Sequence, residues 1–141
     1  IVSQHGCDAH AFDPLAHIHC SMRIYREIPK LIHQLAHALC GGRWIAAGGG
    51  GYDHWRVVPR AWSLLWMEMC DHPLLKDIDR AERERPALLP EGWTALKSPR
   101  RPNPMPAAWL DDMSRWQPIP RRPLISAKNK DVLEVALQHV G

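Results

Sequence analysis

No apolar run in the 141-residue chain reaches the ~20 residues of a membrane-spanning helix. No secretory leader pattern is present either. A membrane partner is therefore not expected. Cysteine is sparse and scattered: Cys7, Cys20, Cys40 and Cys70 form no C-x-x-C pair. They read as reduced thiols of a cytoplasmic protein. A strong excess of one charge is also missing. The net charge is +3, and the pairs Arg100-Arg101 and Arg121-Arg122 sit among prolines rather than along one helix face. That footprint is too weak for a nucleic-acid partner. Internal repeats are absent. What is present is an ordinary globular balance, 45% hydrophobic and 23% charged, in a length that holds one modest domain.

Two regions differ in composition. Residues 1–80 hold most of the histidines, a glycine run and the amphipathic stretches, and 81–141 form an arm rich in proline and tryptophan. From Pro86 to Pro123 the proline density excludes long helices and central strands. Trp93, Trp109 and Trp116 are expected to anchor this stretch to a globular body.

The first region reads as β–α–β–α. Ile1-Val2-Ser3, with no Met before it, reads as the end of a buried strand, so partner elements are expected upstream of this chain. A polar loop runs to Cys20, and Ser21 is the expected cap of a helix. Ile24, Ile28, Leu31, Ile32, Leu35, Ala36 and Leu39 recur at helical spacing. Pro29 should kink that helix or mark a late start, and Gly41-Gly42 should end it. A short strand at 43–47 leads into Gly48-Gly49-Gly50-Gly51-Tyr52. A helix at about 56–70 follows, with an apolar face of Val58, Trp62, Leu65, Trp66 and Met69. A last amphipathic helix is expected over 129–140. Strands alternating with helices imply a parallel sheet with ligands bound beyond the strands' carboxyl ends. Both unusual loops, 4–20 and 48–54, follow strands and should emerge on one edge.

Asp8, just past the first strand, is placed either to hold a divalent metal or merely to cap a turn. The four glycines let backbone approach another group closely. Tyr52 then emerges either as a donor to a developing oxyanion or as a core residue after a flexible turn. A phosphate loop is rejected: the run matches neither G-x-G-x-x-G nor G-x-x-x-x-G-K-[ST], and Asp53 would repel phosphate.

Taken together, the loop Gln4-His5-Gly6-Cys7-Asp8, the later Asp13-Pro14-Leu15, the amphipathic helix and the string GGGGYDHWRVVPRAW resemble the C-terminal end of histone deacetylases. The string and the tail around Pro118–Arg122 are most similar to the bacterial acetoin-utilisation deacetylases. The resemblance implies an arginase/deacetylase-like α/β fold, a three-layer parallel sheet with helices on both faces. It implies that Asp8 is a metal ligand and that Tyr52 hydrogen-bonds the acetyl carbonyl. Gly50 and Gly51 would border the acetyl-lysine channel, and Leu15 would line it. The metal implied is zinc, with iron(II) as the alternative. The implied substrate is an acetylated protein or a small acetylated amine, in a setting of acetoin metabolism. The family's histidine pair and its other ligands would lie in the missing N-terminal part, so this chain alone should be inactive.

Several motifs compete. His33-Gln34-Leu35-Ala36-His37 lacks the glutamate of a metalloprotease H-E-x-x-H and reads as a surface pair. Cys7, His17, His19 and Cys20 offer a small structural zinc module. His5 and His10 flank Asp8 either as groups that orient it or as solvated loop residues, the latter favoured for His10. Trp62 and Trp66 read as core. A non-catalytic interaction domain of the same fold is the remaining alternative to an enzyme.

Overall fold

The computed structural model describes residues 1–16, 18–81, 86–113, 116 and 122–139. Strands β1 (Val2–Gln4) and β2 (Ile45–Ala47) pair in parallel, with Val2 opposite Ile45 and Gln4 opposite Ala47. Helix α1 (Ile24–Cys40) connects them, and α2 (Val58–Met69), α3 (Leu74–Ala81), α4 (Glu91–Thr94) and α5 (Arg122–Leu137) follow. The β–α–β–α order is the one expected from the pattern of the first 70 residues. The sheet has two strands among the described residues.

Helix α1 begins at Ile24 with Arg23 at the cap, and no side chain caps it. Ser21 contributes its carbonyl, which accepts the Ile24 N–H, rather than its hydroxyl. Pro29 stays inside the helix, buried, and forgoes one backbone hydrogen bond. Gly41 closes the helix in the left-handed conformation, φ 60°, which glycine adopts without a Cβ penalty. The buried side of α1 carries Arg26, Pro29 and Ala36. The apolar series read from the sequence lies largely elsewhere. Ile28, Leu31, Leu35 and Leu39 are 40–75% exposed.

Helix α2 shows a similar inversion. It buries Ala61, Leu64, Leu65 and Met67, while Trp62 and Trp66 are exposed. The core gathers Met22, Val57, Leu64, Met67, Ile78 and Trp109. Burying Trp109 fits an arm held to the body, and within the arm Leu88 and Ala108 form an antiparallel bridge. One buried cation joins three helices. Arg26 donates to Glu68 of α2 at 2.5 Å and, through Nε and Nη2, to Asp79 of α3 at 2.9 and 2.8 Å. Removing one partner of such a buried pair leaves an uncompensated charge, a loss of about 3–5 kcal/mol.

The chain forms two compact units, residues 1–111 and 112–141. The second contains α5, which starts earlier than the expected 129–140 helix and has Pro123 in its first turn. Its described side chains are all exposed. Val140 lies outside the described residues.

Candidate active site

Parallel pairing sends the chain out of β1 and β2 at the same edge. The ladder then continues past both strands. His5 N–H donates to the Ala47 carbonyl at 2.9 Å, and Cys7 N–H to the Gly50 carbonyl at 2.5 Å. The aspartate loop and the glycine run therefore lie backbone to backbone, and this contact explains the glycines. A Cβ on Gly50 would overlap the Asp8 carboxylate. One on Gly51 would stand 2.5 Å from Cys7 Sγ and 2.9 Å from Val58.

Two aspartates in this loop have opposite roles. Asp8 is half-buried against Gly50 and makes no hydrogen bond or ion pair among the described residues. It caps no turn. Asp13 does the capping: Oδ1 accepts the Leu15 N–H at 2.9 Å, and Oδ2 accepts the Tyr52 N–H at 2.8 Å. Burial pushes the Asp13 carboxyl up. Backbone donors at Leu15, Tyr52, Ala16 and Asp53 outweigh that and hold it below its ordinary value. Asp13 thus ties the two loops together.

Tyr52 is 48% exposed and Leu15 62%. Tyr52 lines a shallow groove with Phe12, Pro14, His54, Arg100 and Pro102. Asp8 and Leu15 are not part of that groove. Asp53 shapes the turn before α2 by accepting the Trp55 and Arg56 N–H groups, and it pairs with the Arg56 guanidinium at 2.6 Å. Arg56 also lies over the Phe12 ring, 4.4 Å from its centroid. Below the loop, Cys7 is fully buried. Burial, with the charges of Asp13 and Asp8, pushes its thiol up to about 11.

His10 is not a solvated loop residue. It is fully buried, and its Nε2 lies 2.9 Å from Asp111 Oδ2. Asp111 also accepts the Met22 N–H at 2.6 Å and Arg60 Nη1 at 2.9 Å. Burial pushes the Asp111 carboxyl up, but the His10 hydrogen bond and the Arg60 charge outweigh it and hold it at about 2. Sequence reasoning missed Asp111 and Arg60 altogether. Asp13 was visible only as part of the Asp-Pro-Leu string, where an aspartate before proline is a turn signal.

The competing motifs fare differently. The His33 and His37 rings meet, Nε2 to Nε2 at 3.0 Å, and His33 Nδ1 sits 3.2 Å from Glu68. His37 is exposed and His33 half-buried, so the pair sits at the surface with the inner ring turned to Glu68. His17 of the small zinc module lies outside the described residues. Its other members differ in setting, Cys7 being buried and His19 exposed. No group of three or more His, Cys, Asp or Glu suited to a metal occurs among the described residues. Asp8 nonetheless fits one position in such a set. It is a carboxylate half-buried against Gly50, with its oxygens uncommitted and suited to zinc or iron(II).

A model described as the histone deacetylase domain matches residues 1–69. An acetoin utilization protein, AcuC, of Bacillus subtilis (strain 168) is 46% identical over 137 residues, which is 97% of this chain and 33% of that protein. The AcuC proteins of Staphylococcus xylosus and Staphylococcus aureus (strain Mu50) are 38% and 35% identical, over 92% of this chain and 31% of theirs. The chain thus spans about a third of the length of the curated relatives it matches. No solved structure matches.

Proposed function

The chain belongs to the histone deacetylase family, and on that premise we propose that it supplies one wall of the active site of a metal-dependent deacetylase. The substrate is an acetyl amide, on a lysine side chain or a small amine, and the setting is acetoin utilisation in the cytoplasm. The observation that carries this reading is the uncommitted Asp8 carboxylate beside the glycine run that delivers Tyr52.

Asp8 would hold zinc, or iron(II) in its place, through a carboxylate oxygen. The chemistry such a metal supplies when bound is Lewis acidity toward the amide carbonyl. The Tyr52 phenol donates a hydrogen bond to the amide oxygen as it gains negative charge. Gly50 and Gly51, having no side chains, border the channel for the acetylated side chain, and Leu15 lines its mouth. Asp13 keeps the Tyr52 backbone in register with the aspartate loop.

The general base and the remaining ligands belong, in this reading, to the rest of a longer polypeptide. That portion also completes the three-layer sheet and covers the apolar residues Ile28, Leu31, Leu35 and Leu39 of α1. Acetate release from an acetyl-lysine peptide by the full-length protein, with and without a chelator, tests the proposal. Chelator-sensitive release is the expected result. A full-length protein that holds no metal and releases no acetate would instead be an interaction domain of the same fold.

A further inference from the structure

The Asp8 loop is pinned on both sides. Before Asp8, the buried Cys7 donates its N–H to Gly50. After it, the buried His10 reaches out of the loop to Asp111. The Phe12 N–H points at His10 Nδ1, 3.1 Å away, so Nδ1 accepts and Nε2 carries the proton donated to Asp111. Asp111 lies in the proline-rich arm, just past the buried Trp109, and is itself gripped by Arg60 of α2 and the Met22 N–H.

We infer that Asp111 is a positioning residue for the metal site, acting through His10 to fix the loop that presents Asp8. The inference rests on the reading of Asp8 as a metal ligand. Only Ala9 separates Asp8 from the pinned imidazole, so a shift of His10 carries the Asp8 backbone with it. Asp8 has no hydrogen bond of its own to resist such a shift. Groups that hold a ligand's orientation from behind commonly change metal affinity by about 10–100-fold when lost.

The test is metal affinity of the full-length protein, measured by chelator competition with zinc at a temperature where each variant is folded. Asp111→Asn keeps the shape of the residue and removes its charge. His10→Gln cuts the same link but leaves Asp111 on Arg60 and Met22, and it serves should Asp111→Asn not fold. Glu68→Gln is the control for a general loss of stability, because it breaks a buried ion pair away from the loop. The expected result is zinc affinity about 10–100-fold weaker in Asp111→Asn and His10→Gln, with Glu68→Gln unchanged. Wild-type affinity in both loop variants overturns the inference, as does an equal loss in Glu68→Gln. Asp8→Asn separates the two levels. If it keeps zinc, the ligand reading fails and this inference with it. If it loses zinc while His10→Gln does not, only the positioning role fails.

Discussion

The carboxylate of Asp13 accepts the backbone N–H of Tyr52 across 2.8 Å, joining two loops that lie far apart in sequence. The phenol proposed to meet the substrate is thus fixed at its backbone by the loop that carries the proposed metal ligand. Movement of either loop is felt by the other.

Substitutions at the two proposed site residues should differ in kind. In the full-length protein, Tyr52→Phe is expected to lower kcat by about 10²–10³, the scale for losing one oxyanion donor, with metal content unchanged. Asp8→Asn is expected to lower metal content itself. Steady-state kinetics with metal analysis on the same samples separates these outcomes. Undiminished turnover in Tyr52→Phe would remove that residue from the chemistry.

Gly50→Ala should injure the site without touching a polar group. Its Cβ would occupy the position of the Asp8 carboxylate, so either Asp8 or the Cys7–Gly50 contact must give way. Overpacking of this kind costs about 1–3 kcal/mol. A lowered Tm together with weakened zinc binding is the expected result. A variant that binds zinc and melts like the wild type would show that the two loops do not touch as described.

Acid should loosen the clamp on the loop. The folded Asp111 carboxyl sits at about 2, below its unfolded value near 3.9. A depressed folded value means that the stabilisation is fully present above about pH 4 and is lost as pH falls toward 2. Asp13 acts in the same direction. For Asp111 the contribution at neutral pH is on the order of 2 kcal/mol. Urea titrations should show Asp111→Asn less stable at pH 7 and less sensitive to acid below pH 4. A variant with the acid response of the wild type would contradict the assignment.

Thiol reactivity should follow burial. Cys7 is fully buried and its thiol is pushed up to about 11, so it stays protonated at neutral pH. Cys70 is exposed. Alkylation of the folded protein with iodoacetamide, read by peptide mass, should mark Cys70 well before Cys7. Equal labelling would mean that the glycine run does not cover Cys7.

What the sequence made legible was local. The glycine run, the aspartate after a strand, the Gly41 stop and the order of the first four elements all leave marks within a few residues. The burial of His10 left none. Its partner Asp111 is 101 residues away, in a stretch whose prolines carry no periodic signal. Helical spacing also failed to say which stripe of α1 packs. Arg26, His33 and Ala36 recur at a helical interval just as Ile28, Leu31 and Leu35 do, and Arg26 is buried by its pairing with Glu68 and Asp79 rather than by hydrophobicity. On α2 the tryptophans suggested a core face. The smaller Ala61 and Leu64 take it, packed with Val57 and Met67 in a cluster whose buried indole is Trp109 of the arm. Helix α3 has only eight residues, too few for a period to stand out.

The two-stranded ribbon has a practical consequence. Val2 and Ile45, opposite each other in the ladder, are 76% and 65% exposed. Bare strand borders carrying β-branched residues readily recruit extended peptide. Expressed by itself, this polypeptide would be expected to aggregate by strand addition, and co-expression with the portion proposed to complete the sheet would be the means of keeping it in solution.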